Sequence, residues 1–254
     1  MRETWVTWLG GPTVLLEYAG LTILTDPTFD AARAYERPGS TTLVKTHGPG
    51  LAADALPPVH LILLSHHEHA DNLDESGAAL VASGIPTLTT PYAAEGLGQP
   101  HVRGLAPWEW TERRGFTVTA VPALHGPGDA AGPVTGFVLQ APDAPTVYVS
   151  GDNSELDAVD EVAARFAPVD VAILFAGAAR VPRLDAALTL TSADAVVAAR
   201  MLGARTVVGA HTDDWEHFSE NRADLEAAFA ADGMADLLVA TPRGARVRLL
   251  PDAD

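Results

Sequence analysis

The sequence predicts a single α/β domain, and three observations predict it. Short apolar runs of strand length recur along the whole chain, punctuated by Gly, Pro, Asn or Asp. Between several of them lie stretches of helical spacing that open on a capping residue and close on Gly. No linker, repeat or low-complexity tract divides the 254 residues, and an apolar fraction of 47% is ample for one sizeable core.

The first 30 residues read as strands at 5–8, 13–18 and 21–25, joined by turns at Gly10-Gly11-Pro12 and Ala19-Gly20. The third strand ends in Thr25-Asp26-Pro27, so Asp26 is either a turn-former before proline or a group close to a site. Residues 30–58 are rich in Gly, Pro and small polar residues, and an extended loop forming one wall of a pocket is expected there. The run 59–64 is continuously apolar, as in a strand buried on both faces. A helix is expected to start with Asn72 as its cap and Glu75 bonding back, and to run to about Ser83, where Gly84-Ile85-Pro86 stops it. A short strand at 87–90 and a short helix at 91–97 follow.

Trp108 and Trp110 alternate with polar neighbours and read as packed aromatics. Strands are expected at 116–121, 134–140 and 146–149. A helix at 155–166 follows from apolar residues at 156, 159, 162, 163 and 166. Then come a buried strand at 169–175 and a helix at 191–202, capped by Thr191 or Ser192 and ended by Gly203. A strand at 205–210, a helix at 218–231 and short strands at 236–240 and 244–249 complete the chain.

The totals narrow the chemistry. The chain contains no cysteine, so disulfides and thiolate ligands are excluded and any metal site must be built from His, Asp and Glu. A formal net charge of −17, spread along the chain, repels phosphate backbones and argues against a nucleic-acid partner. The segment from Met1 to Trp5 has no basic-then-apolar leader pattern, and no run approaches the roughly 18 apolar residues of a membrane span. A soluble cytoplasmic protein with a small-molecule substrate and no stable membrane association is expected; assembly into a homo-oligomer is left open.

The stretch that carries chemistry is Ser65-His66-His67-Glu68-His69-Ala70-Asp71-Asn72, directly after the apolar run 59–64. Crowded imidazoles gain nothing from one another unless a cation sits among them, and neutral imidazole and carboxylate are both good ligands for a divalent metal. Three more strands also hand over to potential ligands: 116–121 to His125, 146–149 to Asp152 and 205–210 to His211. Sites in sheet-based folds collect at such strand ends. His47, His60 and His101 fall outside the pattern and read as surface or satisfied core residues, while His217 stays open.

These motifs resemble those of the metallo-β-lactamase-fold hydrolases over nearly the whole chain. Segments 24–28, 64–66, 69–74, 149–152 and 215–218 look most like the branch containing ascorbate-6-phosphate lactonase and N-acyl-phosphatidylethanolamine phospholipase D. The resemblance implies a four-layer αββα sandwich of two mixed sheets flanked by helices, with one or two divalent metal ions (Zn first, Mn or Fe as alternatives) at one edge. It also implies that His69 and His125, with either His66 or His67, form a first site. Strict spacing favours His67, whereas the position after Ser favours His66. Asp71 and His211 would belong to a second site, and Asp152 would be shared between the two. Where the family signature has a fourth histidine this chain has Asn72, read mainly as the helix cap.

A bound metal lowers the pKa of its water from near 16 to about 7, so the expected activity is attack by a metal-bound hydroxide on a small ester, lactone, amide or phosphodiester. Asp71 and Asp152 are the expected catalytic carboxylates. Asp26, Trp215 and His217 are candidates near the substrate, Asp26, Asp213 and Asp214 for holding imidazole tautomers, and Lys45 or Arg180 for reaching a phosphate. The alternative, favoured by Asn72, is a metal-binding protein with a degenerate second site and little or no catalysis.

Overall fold

The computed structural model describes residues 3–36, 39, 41–129 and 131–250. Met1 and Arg2, which open the segment read as lacking a leader, lie outside the described residues, as do 37, 38 and 40 of the expected pocket wall.

The chain starts with three antiparallel strands, β1 (Thr4–Gly10), β2 (Thr13–Tyr18) and β3 (Leu21–Thr25). The stretch expected as loop contains a hairpin, β4 (Arg33–Tyr35) and β5 (Leu43–Lys45). Three short parallel units come next: β6 (Leu61–Leu63) and α1 (Glu75–Ala82), β7 (Thr87–Thr89) and α2 (Pro91–Leu97), then β8 (Val102–Gly104). The second half begins with the antiparallel β9 (Trp110–Arg113), β10 (Phe116–Pro122), β11 (Thr135–Gln140) and β12 (Val147–Val149). It continues through α3 (Leu156–Phe166), β13 (Val171–Phe175), α4 (Ser192–Met201), β14 (Thr206–Ala210), α5 (Arg222–Ala231) and β15 (Arg246–Leu249).

Two mixed sheets result, one in the order β15-β1-β2-β3-β6-β7-β8 and the other β14-β13-β12-β11-β10-β9. Their inner faces meet in one apolar layer built from Val6, Leu16, Ile23 and Leu63 on one side and Phe116, Phe137, Val149 and Ile173 on the other. The outer face of the first sheet (Leu15, Leu24, Ile62) packs under α1 through Val81. That of the second (Val138, Tyr148, Leu174) packs under α3, α4 and α5 through Val162, Ala198 and Phe229. This is the expected αββα sandwich. It explains why β6, β13 and β14 are apolar at nearly every position: one face meets the other sheet and the other face meets helices.

Several expectations are corrected. Asn72 does not cap α1; Asp74 does, accepting from the Gly77 amide, because the chain first turns on bonds from the Asn72 and Leu73 amides to the His69 carbonyl. The last helix begins at Arg222 rather than 218, since Asn221 and Asp224 form a capping box there. Residues 236–240 are not a strand: Ala235–Leu237 is a tight helical turn, and only Leu238 bridges to β14. Trp110 lies on an edge strand and is 62% exposed, so only Trp108, stacked under Arg165, behaves as a packed aromatic. Among the described residues no helix is long and apolar enough to cross a membrane.

Candidate metal centre

The strand ends place the ligating groups. β6 leads to His66, His69 and Asp71, β10 to His125, β12 to Asp152 and β14 to His211, and all of these side chains converge on one edge of the sandwich. Backbone geometry at two glycines makes this convergence possible. Gly151 has φ +57°, and a Cβ there would lie 2.5 Å from the Thr135 carbonyl, so the turn delivering Asp152 requires glycine. A Cβ on Gly177 would lie 2.2 Å from the His211 carbonyl oxygen, so glycine lets the end of β14 approach. His211 itself has φ +54° and is held there by its amide, which donates to the Gly11 carbonyl at 2.7 Å.

His66, His69 and His125 form one group. His66 Nε2 lies 2.9 Å from His69 Nδ1, and His125 Nε2 lies 3.3 Å from the same atom. The surroundings set two of the tautomers. The Leu188 carbonyl only accepts, so His125 Nδ1, 2.7 Å from it, carries the proton and Nε2 presents a lone pair. The Ser65 hydroxyl donates to Asp26 Oδ1 at 2.6 Å, so its oxygen accepts from His66 Nδ1 at 3.0 Å and leaves His66 Nε2 bare as well. Burial, followed by the neighbouring rings, pushes His66 well below the ordinary imidazole value. Burial also lowers His69. Neutral rings with lone pairs aimed at a common point are a donor set that suits a cation.

Asp71, Asp152 and His211 form a second group. Asp152 Oδ1 accepts from His211 Nδ1 at 3.0 Å and from Asn72 Nδ2 at 2.9 Å, while its Oδ2 lies 3.7 Å from His125 Nε2. Asp152 therefore spans both groups. Asp71 Oδ2 accepts from His217 Nε2 at 3.0 Å. Asp71 Oδ1, Asp152 Oδ2 and His211 Nε2 are buried without any hydrogen-bond partner. Three orphaned ligand atoms this close together are costly to bury unless a cation satisfies them, so the residues fit a divalent ion. His and carboxylate donors suit Zn, Mn or Fe alike.

A profile of the beta-lactamase superfamily domain matches residues 22–212, from β3 to just past His211. The chain belongs to the beta-lactamase superfamily. A UPF0173 metal-dependent hydrolase from Anaeromyxobacter sp. (strain K) is 28% identical over 259 aligned residues, covering 94% of this chain and 85% of that protein. Among solved structures, the isothiocyanate hydrolase from Delia radicum gut bacteria superposes with a TM-score of 0.83 at 23% identity, covering 96% of this chain and 98% of that one. A possible metal-dependent hydrolase from Veillonella parvula gives the same TM-score of 0.83 at 19% identity, covering 97% and 99% of the two chains.

In this member of the superfamily the choice between His66 and His67 is made by side-chain direction. His66 faces the two other rings, while His67 turns out toward α2, with Nδ1 3.0 Å from Glu68 Oε2 and its ring 5.7 Å from that of Tyr92. His66→Ala is expected to lower bound metal to well below half of the wild-type content and His67→Ala to leave it within about 20%, lost ligands costing more than the 10–100-fold of their supporting partners. Metal analysis of the two purified variants checks this.

The substrate candidates separate too. His217 lines the cleft above the site, together with Tyr35, Leu43, Ala131, Val181 and Leu188. Trp215 does not line it; it is 4% exposed and backs the wall, packed on Tyr35 and His217. Asp26 is buried, accepts from the Ser65 amide and hydroxyl, and is not among the residues lining the cleft. Asp214 ties Gly11 to Arg243 and Asp213 takes the Thr212 hydroxyl; neither orients an imidazole of the two groups. Lys45 is paired with Asp74 in the interior and cannot reach a phosphate. Asn72 is buried, with its amide on Asp152 and Ser65. Ser65 stood in the sequence beside His66 and could have been noticed; nothing local in the sequence marks the Leu188 carbonyl.

The electrostatics set a pH dependence for the metal-free protein. Burial alone would lower His211, but Asp152 and Asp71 outweigh it and push the ring up to about 10. Burial raises Asp71, and the His211 and His217 rings, with Nε2 3.4 and 3.0 Å from Asp71 Oδ2, reverse this and hold it well below the usual carboxylate range. Asp152 is likewise held low by His211 against its burial. Burial pushes Asp26 up to about 7 despite the Ser65 hydrogen bonds. A raised folded pKa contributes stability below the unfolded value that is lost as pH rises through the folded one. His211 thus contributes fully below its ordinary 6.5 and loses the contribution toward about 10, and Asp26 adds a loss in the same direction up to about 7. The chelated protein is expected to melt several degrees lower at the alkaline end of this window than at its acid end. The metal-loaded protein, whose His211 must be neutral to bind, should change less. Thermal melts across that range, with and without chelator, measure both slopes.

Proposed function

We propose that this chain is a metal-dependent hydrolase of a small ester, lactone, amide or phosphodiester with a largely apolar body. The observation that carries this reading is the set of unpaired ligand atoms of Asp71, Asp152 and His211 beside a three-imidazole group, with His69, Asp71 and His125 opening onto a cleft walled by Leu43, Ala131, Val181 and Leu188. A divalent ion held by these residues supplies a Lewis acid and an acidified water.

The remaining roles belong to the chain. His217 occupies Asp71 Oδ2 and so leaves Oδ1 to face the ion and orient a water beside it. Asp152, fixed by His211 and Asn72, holds the two groups at one separation. The apolar walls exclude bulk water and leave few polar groups to bind substrate. Asn72 supports the carboxylate, and each group has three ligand candidates without it, so its presence does not favour the reading of lost catalysis. Segments 24–28, 69–74 and 215–218 support placement beside the lactonase and phospholipase D branch.

Metal analysis of the purified protein, followed by assay on a lactone, ester, amide and phosphodiester panel with added Zn or Mn, tests the reading. Metal-dependent turnover of at least one class is expected. Tightly bound metal with no turnover on any class would leave a metal-binding protein instead.

A further inference from the structure

The cleft is lined by a loop as well as by the ligand groups. Residues 176–190 loop over it, and their base is tied by the Leu188 amide to the Ala179 carbonyl at 2.8 Å and the Ala179 amide to Thr189 Oγ1 at 3.1 Å. The tip turns on a bond from the Leu184 amide to the Val181 carbonyl at 3.0 Å. The same loop carries the carbonyl that sets the His125 tautomer, so its position is coupled to the site. At the tip Arg183 is exposed and lines the cleft.

Among the described residues Arg103, Arg113, Arg114, Arg165 and Arg180 lack a carboxylate partner as Arg183 does, and Arg183 differs from them in lining the cleft. Acidic residues outnumber basic ones 33 to 16, and Lys45, Arg200, Arg205, Arg243, Arg246 and Arg248 each meet a carboxylate. Among the described residues no carboxylate pairs with Arg183, and it is the one cation lining the cleft. The rest of the lining combines the apolar Leu43, Ala131, Val181 and Leu188 with the uncharged polar groups of Tyr35 and Thr41 and the His217 ring.

Resting on the hydrolase reading, we propose that Arg183 is a specificity-determining residue that binds a carboxylate at the far end of the substrate. The substrate class is then a carboxylate-bearing ester, lactone or amide, with its scissile group at the ligand groups and an aliphatic body along the apolar wall. One guanidinium offers a planar fork that two carboxylate oxygens can accept from side by side.

The test is calorimetric binding to the Zn-loaded protein, which does not depend on turnover. Linear dicarboxylates from succinate to suberate are compared with monocarboxylates of the same chain length. Both can place one carboxylate at the ligand groups, so their difference isolates the second. At one chain length the dicarboxylate is expected to bind about fivefold tighter, the scale of a partly exposed ion pair. R183Q should abolish that advantage while leaving monocarboxylate binding unchanged, R183K should keep part of it, and added salt should shrink it. No advantage at any length, an advantage retained in R183Q, or no binding by either series overturns the proposal. A protein that shows the Arg183-dependent advantage yet hydrolyses nothing in the panel would instead sink the hydrolase reading alone.

Discussion

Asp152→Ala is expected to strip the protein of bound metal and reduce kcat/KM by at least about a thousandfold, given that mere supporting partners of a metal ligand are worth 10–100-fold. Asp152 is the residue through which the two groups communicate, with Oδ1 on His211 and Asn72 and Oδ2 turned toward His125. Removing it takes a ligand candidate from both groups at once. It also leaves the buried His211 Nδ1 without its acceptor, Asn72 Nδ2 with only Ser65 Oγ at 3.3 Å, and His211 without one of the two carboxylates that keep it charged. Breaking a buried pair in this way costs about 3–5 kcal/mol, so the chelated variant should also melt lower than the chelated wild type. Metal content, steady-state rates and melts on one preparation report all three effects. An Asp152→Ala protein that keeps its metal and turns over normally would remove the proposed function.

Lys45→Met should produce the largest loss of stability outside the metal centre. Lys45 and Asp74 pair at 2.9 Å with only 3% and 0% of their side chains exposed. Asp74 also caps α1 and accepts from the Asp30 amide, so the carboxylate cannot move to find water once the lysine is gone. An unpaired buried charge of this kind costs about 3 kcal/mol or more. For a domain of this size that is roughly 6–12 °C in Tm. Lys45→Met/Asp74→Asn should recover part of the loss, because asparagine keeps the cap without the charge. A single variant that melts within about 2 °C of wild type would show that the pair contributes little. Lys45 also closes β5, whose Leu43 and whose partner residue Tyr35 wall the cleft, so a raised KM should accompany the lowered Tm.

The strand-then-ligand pattern was legible because it is local. β6, β10, β12 and β14 each announce themselves by apolar runs, and His66–Asp71, His125, Asp152 and His211 follow within a few residues of each strand end. The β4–β5 hairpin was not legible. Its strands are three residues each and partly exposed, and they are held by partners elsewhere, Lys45 by Asp74 and Tyr35 by Asp30 and Trp215. The cap of α1 was misplaced by two residues because Asn72 and Asp74 are both good caps, and only the turn at His69 determines which one stands at the first free amide.

By itself the sequence determined the α/β class, the absence of thiolate ligands and the residue types that meet at the sheet edge. These depend on composition and on hydrophobic runs a few residues long. Tertiary structure alone decided that His66 rather than His67 faces the other rings, that Asn72 supports Asp152, and that Arg183 stands over the cleft. The directions of His66, Asn72 and His125 are set by atoms far along the chain, Asp26 acting through Ser65 on His66, Asp152 on Asn72 and Leu188 on His125, and such contacts exist only once the two sheets have closed on each other.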